Sequence, residues 1–346
     1  MRGVLFPGGN VATIREFPEP RPGKGQVVVR MKASGLCGSD VHGLYEAPAR
    51  VPPPSFVGGH EPSGIVENVG EGVMRLRSGD RVMVHHNKGC GHCVQCLGGW
   101  FNACEGPPDE RGSYGWGLNG GFADFMVAEE RNCVTIPDDM SFEEGAMCTC
   151  GVGTAYFATR RMDVNGDDVV AILGCGPVGL AGIMIAKAYG AFVIAADTVD
   201  YRVKLAERLG ADMVINAKEE DTVKKIKENT DGRGANVAID YSGSSIGRNN
   251  AVEAAALWGR VAWIGENNDL PEMTLSPTHQ MLGKQLRVYT SRTFGMVQLK
   301  EIPAFLKRHR IQLEIMITHR YPLESVKEGI EVFRTGETGK VIFVWK

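Results

Sequence analysis

Residues 169–180, VVAILGCGPVGL, join an apolar run to three glycines in a G-x-G-x-x-G pattern. The run Val169–Leu173 predicts a buried strand, and the residues after Gly179 predict a helix. Gly174 permits the tight turn between them, Gly176 lets backbone N–H groups approach a pyrophosphate, and Gly179 lets the helix pack closely on the sheet. The stretch therefore predicts a dinucleotide-binding strand, loop and helix.

The residues that follow the loop indicate which dinucleotide would bind. Pro177 and Val178 open the helix, whose N-terminus carries a partial positive charge that suits phosphate. Asp197 ends the next apolar run, 18 positions after Gly179. Its carboxylate can accept hydrogen bonds from the adenosine ribose and repel a 2′-phosphate, which favours NAD over NADP. Arg202 could lie along the adenosine and weaken that exclusion. The alternative is a glycine turn in an α/β sheet that binds no ligand.

Apolar runs and helices continue to alternate over the second half of the chain, from about Gly151. Helix patterns such as Val178–Tyr189 and Tyr201–Leu209 each end before a glycine, as helices commonly do. Continuous apolar runs between helices are typical of parallel strands covered on both faces, and six of them predict a complete doubly wound sheet. The six runs are Val169–Leu173, Phe192–Ala196, Met213–Asn216, Asn236–Asp240, Arg260–Gly265 and Leu286–Thr290.

The first part of the chain has a different pattern. Up to about Pro137, short β-like runs are broken by glycine and proline, which predicts a β-rich unit, a partly closed barrel. From about Phe294 a helix pattern is followed by a final strand pattern, Lys340–Trp345, and we expect this tail to rejoin the β-rich unit. The predicted domains of this α/β chain are 1–151, with 294–346 returning to it, and 152–293.

Composition narrows the classes of function. The 346 residues carry a net charge of −3, with 43% hydrophobic and 23% charged residues, which is ordinary for a globular protein with a core. No basic run suggests a nucleic-acid partner, and no stretch approaches the roughly 20 apolar residues of a membrane span. The N-terminus lacks the apolar core of a signal peptide. Nine cysteines, four of them clustered, favour a reducing cytoplasm over a disulfide framework.

The clustered cysteines lie in one glycine-rich stretch and form a C-x2-C-x2-C-x7-C pattern. They are Cys90, Cys93, Cys96 and Cys104. Thiolates so close in sequence predict a closed tetrahedral zinc site, which stabilises a loop and leaves no position open for substrate. A chain with a closed zinc site can also contain a second, open zinc site, so the other metal-ligand residues were considered next.

Three distant stretches hold further metal-ligand types. Cys37 precedes the run Gly38–His42, His60 is followed by Glu61, and Cys150 opens a C-G-V-G-T stretch. Two thiolates and one imidazole would leave a fourth position for water or substrate, the layout of a catalytic zinc. Spacing does not unite these positions. Taken singly, each is more simply a buried cysteine or a satisfied histidine.

With these motifs together, the whole chain resembles the zinc-dependent medium-chain alcohol and polyol dehydrogenases, which combine a GroES-like domain with a Rossmann domain. The resemblance implies a catalytic zinc, held between the domains by Cys37, His60 and Cys150, with Glu61 as an alternate ligand. It assigns the clustered cysteines to a structural zinc and NAD as the coenzyme. Many polyol-type relatives have a carboxylate where Cys150 stands and lack the clustered cysteines, so this chain departs from them.

The resemblance also implies roles in the reaction. Zinc would act as a Lewis acid on the substrate oxygen while hydride passes to NAD. Ser39 would bond the substrate oxygen and begin a proton relay that reaches water through His42, and Asp40 would orient His60. Read without the resemblance, Ser39 is a turn hydroxyl and His42 a surface histidine.

Coenzyme contacts follow from the same resemblance. Thr154 corresponds to a residue that packs against the nicotinamide, and Lys340 to a basic residue that reaches the pyrophosphate. Gly265 belongs to a turn beside the nicotinamide. Lys340 is otherwise an ordinary edge-strand lysine.

By the same resemblance, His86, Trp116 and the turn Gly265-Glu266-Asn267 line the substrate cavity. Polar side chains there would bond several hydroxyls, whereas enzymes of simple alcohols usually have apolar ones. We therefore expect a polar secondary alcohol such as a polyol, sugar or cyclitol. In the alternative, these groups face solvent and a simple primary or secondary alcohol binds deeper.

Two other classes are open from the sequence: a non-catalytic NAD-binding relative and a reductase of carbon–carbon double bonds. The intact set of Cys37, His60, Cys150 and Ser39 argues against both. The direction of reaction is not fixed by the sequence, although NAD favours oxidation. The resemblance favours a homotetramer over a dimer, with an edge strand at Leu286–Thr290 able to pair across a two-fold axis.

Overall fold

The computed structural model describes residues 1–266 and 272–346, and the chain divides into two compact units. The first consists of Met1–Gly153, Thr293–Glu331 and Lys340–Lys346, and the second of Thr154–Arg292 and Val332–Gly339. The segment 332–339, which the sequence placed in the returning tail, thus belongs to the second unit. A Cβ on Gly336 would lie 3.2 Å from Val199, so this segment packs beside the strand that ends at Asp197.

Strands and helices are numbered here in chain order within the described ranges. The strands are β1 (Arg2–Gly8), β2 (Val11–Glu16), β3 (Gln26–Gly35), β4 (Pro62–Val69), β5 (Arg81–Val84), β6 (Asn87–Lys88), β7 (Gly112–Tyr114), β8 (Gly117–Leu118), β9 (Phe125–Glu129), β10 (Cys133–Thr135), β11 (Val169–Leu173), β12 (Phe192–Asp197), β13 (Met213–Asn216), β14 (Ala235–Asp240), β15 (Ala255–Trp263), β16 (Arg287–Thr290), β17 (Ile317–Pro322) and β18 (Lys340–Val344). The helices are α1 (Gly38–Asp40), α2 (Val94–Leu97), α3 (Phe142–Cys148), α4 (Gly151–Arg161), α5 (Pro177–Ala188), α6 (Asp200–Arg208), α7 (Thr222–Glu228), α8 (Ser245–Ala254), α9 (Met296–His309) and α10 (Val326–Arg334). None of these helices is both long and apolar enough to cross a bilayer.

The first unit is built on a mainly antiparallel sheet with strand order β10-β5-β4-β3-β18-β17, and β9 also pairs with β3. β3 is the longest strand of this sheet, and β4, β9 and β18 all pair with it. Alternate side chains Val27, Val29 and Met31 enter the core, as the two-residue period of a strand requires. The last strand, β18, lies antiparallel to β3, with Ile342 opposite Gly35.

The second unit contains the predicted doubly wound sheet, and that prediction is confirmed. Its six strands are parallel in the order β13-β12-β11-β14-β15-β16. The order reverses between β11 and β14, where Leu173 lies opposite Asp240. Ligands of such sheets bind beyond the carboxyl ends of the strands at this reversal. The glycine loop begins there, directly after Leu173.

One strand differs from its predicted bounds by several residues, and others differ by a single residue. The sequence placed it at Arg260–Gly265, but β15 begins at Ala255, directly after α8, and ends at Trp263. Trp258 has a φ of 63°, and the pairing register with β14 shifts near this end of the strand. The apolar pattern is interrupted at this irregularity, so the first part of the strand was not evident from periodicity.

Candidate functional site

Four side chains from three distant stretches meet inside the first unit. Ligand atoms of Cys37, His60, Glu61 and Cys150 all lie within 4.8 Å of one another. His60 and Glu61 are buried, and the two cysteines are partly buried. The fold thus joins positions that sequence spacing left separate.

Strand pairing explains why these residues meet. Cys37 follows the end of β3, and His60 precedes the start of β4. The two strands are antiparallel, with Ser34 opposite Pro62, so this register carries Cys37 and His60 to the same edge of the sheet. Cys150 lies between α3 and α4, and α3 packs on β3 and β4.

Asp40 contacts His60, as predicted. Nδ1 of His60 lies 2.9 Å from Oδ1 of Asp40, which is fully buried. The other carboxylate oxygen accepts the backbone N–H of Cys37 at 3.1 Å. A carboxylate only accepts, so Nδ1 carries the hydrogen and Nε2 is left for a cation. Burial alone would lower the pKa of His60, but the charge and hydrogen bond of Asp40 raise that pKa well above its ordinary value.

The two thiols of this cluster are unequal. A hydrogen bond from Cys150 is the largest cause that holds the pKa of Cys37 well below its ordinary value, and the same contact raises the pKa of Cys150. Without a cation, the pair therefore favours one thiolate and one thiol. A cation that binds both sulfurs must displace the remaining proton.

Glu61 forms a buried ion pair with Lys340. The Lys340 ammonium lies 2.5 Å from Glu61 Oε2, and the two side chains are 2% and 0% exposed. The ammonium also donates to the carbonyl of Leu36 at 2.9 Å. Burial raises the pKa of Glu61 to about 7, although the positive charge of Lys340 acts to lower that pKa. Glu61 Oε1 has no hydrogen-bond partner within the described residues, which fits a carboxylate next to a cation.

The Glu61–Lys340 pair requires glycine at position 35. It also gives Lys340 a role other than the predicted one. A Cβ on Gly35 would collide with the Glu61 carboxylate and lie 2.7 Å from Lys340 Cε. The sequence placed Lys340 at the coenzyme pyrophosphate. In the structure its ammonium is instead buried on Glu61 and Leu36, because β18 lies beside β3.

Three histidine rings lie in a row that ends at His60. The ring of His85 stacks on that of His86 with centroids 5.4 Å apart, and His86 meets His60 edge-on at 5.4 Å. His86 Nδ1 lies 2.8 Å from the carbonyl oxygen of Thr149. Burial, and then the charge of His60, lower the pKa of His86 well below its ordinary value. His86 is therefore a neutral buried ring in contact with the cluster.

The two predicted relay residues lie near the cluster in sequence and differ in exposure. Ser39 lies in α1 between Cys37 and Asp40 and is half-buried. The His42 side chain is 48% exposed, and its Nδ1 lies 2.8 Å from Glu46 Oε2. An exposed imidazole can exchange protons with water.

The clustered cysteines also come together. All four sulfurs lie within 4.8 Å of one another, with 3.9 Å between Cys90 and Cys96 and between Cys93 and Cys104. Four thiolates bound to zinc at about 2.3 Å would be about 3.8 Å apart, so the observed spacing fits a tetrahedral S₄ site. The backbone N–H groups of Cys90 and Gly106 donate to the sulfur of Cys104 at 3.2 and 3.3 Å. These bonds suit a thiolate acceptor.

The glycine loop of the second unit has the geometry that a pyrophosphate needs. Gly174 has a φ of 95°, and a Cβ there would lie 2.6 Å from the backbone nitrogen of Ser242. A Cβ on Gly179 would collide with the carbonyl of Gly174. At Gly176 a Cβ would meet nothing within 4 Å, so this side of the backbone is open. Gly176 caps α5 without a side-chain hydrogen bond, which leaves the first amides of the helix for an anion.

Comparison with known proteins identifies the family to which this chain belongs. The family model of the alcohol dehydrogenase GroES-like domain matches residues 23–138, and that of zinc-binding dehydrogenases matches residues 177–308. The chain is 36% identical over 351 residues to the uncharacterised zinc-type alcohol dehydrogenase-like protein YphC of Escherichia coli K12, covering 99% of this chain and 98% of that protein. The chain belongs to the zinc-type alcohol dehydrogenase family.

Two further relatives extend the comparison. L-threonine 3-dehydrogenase of Pyrococcus horikoshii is 33% identical over 346 residues, which cover 98% of this dehydrogenase and 96% of that enzyme. The crystal structure of an alcohol dehydrogenase (rspB) of Escherichia coli CFT073 in complex with NADH has a TM-score of 0.87 and 28% identity, and the match covers 100% and 99% of the two chains. The predicted medium-chain fold, GroES-like plus Rossmann, is thereby confirmed.

Asp197 links the sheet of the dehydrogenase to its glycine loop. One carboxylate oxygen accepts the N–H of Cys175 at 2.6 Å, and the other accepts the N–H of Val199 at 2.9 Å. The side chain is thus held at the carboxyl end of β12 with lone pairs to spare for ribose hydroxyls. Nε of Arg202, in the helix that follows, is buried without a hydrogen-bond partner among the described residues.

The other predicted coenzyme and substrate residues have varied environments. Thr154 is 8% exposed in α4. A Cβ on Gly265 would lie 2.6 Å from the backbone of Tyr241, so this turn requires glycine. Trp116 is partly buried in the turn between β7 and β8. Asn267 lies outside the described residues.

Glu266, which the sequence placed in the lining of the substrate cavity, is paired with a cation. Its two oxygens pair with the Arg292 guanidinium at 2.9 and 3.2 Å, and its side chain is 52% exposed. A carboxylate with a bidentate partner has less capacity for substrate hydroxyls.

Asp240 was missed by the sequence reasoning. It ends β14 and is fully buried. Its carboxylate accepts the N–H and hydroxyl of Ser242 at 3.0 and 2.6 Å and the N–H of Gly243 at 3.1 Å. It thereby fixes the loop that packs against Gly174 at the reversal of strand order. An acidic residue followed by Ser-Gly at a strand end, D-Y-S-G, was the available signal.

Proposed function

We propose that this chain is an NAD-dependent zinc dehydrogenase that oxidises a polar secondary alcohol to the ketone. The catalytic zinc would be held by Cys37, His60 and Cys150, with Glu61 as an alternate ligand. A second, structural zinc would be held by Cys90, Cys93, Cys96 and Cys104. The observation that carries the proposal is the convergence of two sulfurs, one imidazole and one carboxylate, with the imidazole oriented by buried Asp40.

Each residue of the cluster has a role in holding the cation and the substrate. Zinc, when bound, would supply a Lewis acid that lowers the pKa of the substrate hydroxyl. Asp40 keeps the hydrogen of His60 on Nδ1, which presents Nε2 as the ligand. Lys340 holds Glu61 by one oxygen and leaves the other for the cation. Three ligands from the protein leave a position for the substrate oxygen.

Proton release is assigned to Ser39 and His42. The Ser39 hydroxyl, two residues after Cys37, would accept the substrate proton by hydrogen bonding. His42 is half-exposed and bonded to Glu46, so it can deliver a proton to water. The order of the relay is the one that the resemblance implies, and the intermediate ribose hydroxyls would come from the coenzyme.

Coenzyme binding is assigned to the second unit. The open face of Gly176 and the uncapped start of α5 would take the pyrophosphate, together with Gly174, Pro177, Val178 and Gly179. Asp197 would take the ribose hydroxyls and disfavour a 2′-phosphate, which supports NAD, and Arg202 would lie along the adenosine. Thr154 and Gly265 would contact the nicotinamide, whose chemistry is to accept hydride from the carbinol carbon.

A polar substrate is supported by His86 and by the relatives. Buried His86 offers a hydrogen-bonding group beside the cluster, and several relatives are L-threonine 3-dehydrogenases, named for an amino alcohol. A polyol, sugar, cyclitol or amino alcohol fits this pocket. The second candidate is a simple alcohol, which is favoured by the pairing of Glu266 with Arg292.

For assembly and location we propose a cytoplasmic homotetramer. In the described part of the chain, β16 pairs with β15 alone in its sheet, so its outer edge is available to a second copy. Sedimentation analysis tests this proposal.

The test of function is NADH formation from a panel of polyols, sugars, amino alcohols and simple alcohols. We expect turnover with NAD⁺ at least about tenfold above that with NADP⁺, and loss of turnover after zinc removal that added zinc restores. A higher kcat/KM for butanol or benzyl alcohol than for every polar alcohol would overturn the substrate class. Unchanged turnover after removal of both zinc ions would overturn the mechanism.

A further inference from the structure

We infer that Arg248 is a positioning residue for the coenzyme: it holds the turn at Gly265 against Asp240 and thereby favours binding of the nicotinamide half of NAD. The inference rests on the proposed function, which assigns Gly265 to the nicotinamide. It adds a residue of α8, a helix that the proposed function does not use, and this residue acts through the turn.

The Arg248 guanidinium contacts the ends of two neighbouring strands. Its Nη2 donates to the carbonyl oxygen of Gly265 at 2.9 Å, just beyond the end of β15. Its Nε lies 3.8 Å from Oδ2 of Asp240, the last residue of β14. β14 and β15 are parallel neighbours, so both end at the same edge of the sheet. One side chain therefore links the two strand ends.

This link is mostly shielded from water. The side chain of Asp240 is fully buried and that of Arg248 is 25% exposed. Nε of Arg248 is sealed from solvent and has no hydrogen-bond partner in the described part of the chain, which leaves it facing the Asp240 charge. A buried carboxylate depends on a counter-charge and on hydrogen bonds. Solvent therefore weakens this attraction less than it weakens that of a surface pair.

The backbones of the two loops are in direct contact. The N–H groups of Ile264 and Gly265 both donate to the carbonyl oxygen of Asp240 at 2.9 Å. A Cβ on Gly265 would collide with the backbone of Gly243. Gly243 has a φ of 70°, and a Cβ there would lie 2.9 Å from the backbone nitrogen of Glu266. The position of the turn at Gly265 thus depends on contacts with the loop after β14.

The backbone of Arg248 is itself fixed. Ser244 caps α8 by accepting the N–H of Gly247 at 2.9 Å. A Cβ on Gly247 would lie 2.7 Å from Oδ1 of Asp240, so this end of the helix lies directly against the carboxylate. Nε1 of Trp263, in β15, donates to the carbonyl oxygen of Arg248 at 3.4 Å. The guanidinium is therefore held in place before any ligand arrives.

The strand order indicates which half of the coenzyme depends on Arg248. Asp197, which we assign to the adenosine ribose, ends β12, and Gly265 follows β15. These strands lie on opposite sides of the reversal between β11 and β14, and dinucleotides bind across such a reversal. Arg248 contacts only the side of β14 and β15. Its loss should weaken the nicotinamide half and leave the adenosine half bound as before.

Two probes separate the halves of the coenzyme in the zinc-loaded full chain. NADH reports on the whole site and AMP on the adenosine half, and isothermal titration calorimetry measures both. In Arg248→Met we expect the Kd for NADH to rise by about tenfold, the effect of losing one hydrogen bond from a charged donor. The Kd for AMP should not change. A general loosening of the fold would weaken both probes.

Two further variants control for structural damage. Arg248→Lys keeps a cation beside Asp240, but its single ammonium cannot replace a planar fork of donors, so NADH should bind about threefold or more weakly. Arg260→Met is the matched control in the same unit. Arg260 pairs with Asp168, which directly precedes β11, and donates to the carbonyl of Met162 at 2.6 Å. This pair lies at the amino ends of the strands, so its loss should lower the melting temperature and leave both Kd values unchanged.

The outcomes distinguish the inference from the proposed function. Unchanged NADH affinity in each folded Arg248 variant, equal fold-losses for NADH and AMP, or the same loss of NADH affinity in Arg260→Met would overturn the inference and leave the proposed function in place. Failure of the wild-type protein to bind NADH would overturn the proposed function, and the inference with it. Melting curves identify any variant that misfolds.

Discussion

The two cysteine clusters of the first unit have similar ligand spacing and very different surroundings. Cys90, Cys93, Cys96 and Cys104 lie within one loop, and backbone N–H groups donate to their sulfurs. The other cluster draws Cys37, His60 and Cys150 from three stretches that strand pairing brings together. Its surroundings include the buried charged groups of Asp40, Glu61 and Lys340.

The difference supports our proposal that one cluster stabilises the fold and the other takes part in the reaction. Four equivalent sulfurs saturate a tetrahedral cation and leave nothing for substrate. The dispersed cluster has fewer sulfurs, a carboxylate with one unpartnered oxygen, and neutral His86 beside it. Buried charges such as Asp40, Glu61 and Lys340 are costly. Their concentration around the dispersed cluster supports the proposal that this cluster is the reactive one.

Cys37→Ser gives the largest expected effect and tests the reactive cluster. We expect kcat/KM to fall by on the order of 10³–10⁴-fold, because Lewis-acid assistance is worth several kcal/mol. NADH binding, measured by fluorescence titration, should persist. Cys148→Ala is the control, since it removes a fully buried thiol two positions from Cys150 that is not in the cluster. An equal loss of activity in that control would contradict the assignment.

Cys104→Ser is the counterpart in the local cluster. There we expect the apparent melting temperature to fall by on the order of 10 °C, because loss of a structural metal removes several kcal/mol of stability. At temperatures where the variant remains folded, kcat should stay close to that of the wild type. Immediate loss of turnover in a folded variant would mean that the two clusters are not functionally distinct.

Lys340→Met tests the buried ion pair and has the smallest expected effect. Removing Lys340 leaves the Glu61 carboxyl in the interior without its counter-charge, so it must either stay charged there or take up a proton, which costs up to about 3 kcal/mol. Denaturant unfolding measures this cost, and the double variant with Glu61→Gln should recover part of it. Lys307→Met breaks the exposed pair with Asp139, whose side chains are 76% and 57% exposed, and should leave stability unchanged. Equal costs for the two lysines would refute the role given to the buried pair.

Local patterns made much of this molecule predictable. The Rossmann sheet followed from six apolar runs, and the glycine loop and the clustered cysteines followed from residues adjacent in the chain. The partner of Lys340 could not be predicted in this way. Its pair with Glu61 depends on β18 lying beside β3 and on the space above Gly35. Asp240 was also missed, since its partners are the backbone amides of a loop whose shape is not evident from periodicity.

The reactive cluster was predictable only in part. The ligand types were visible in the sequence, but positions 37, 60 and 150 could be united only by a resemblance to known enzymes. The stacking of His85 on His86, and the edge-on contact of His86 with His60, depend on side-chain packing in three dimensions. Glu266 was placed by the same resemblance, which did not reveal its pairing with Arg292.

The central claim, one cation in each cluster with different roles, is tested most directly by zinc-edge anomalous diffraction from the purified enzyme. The account predicts two zinc peaks per chain, one among the sulfurs of Cys90, Cys93, Cys96 and Cys104 and one among Cys37, His60 and Cys150. In crystals of the Cys37→Ser variant the second peak should be lost or weakened while the first remains. A single peak at the clustered cysteines in the active wild-type enzyme would contradict the account.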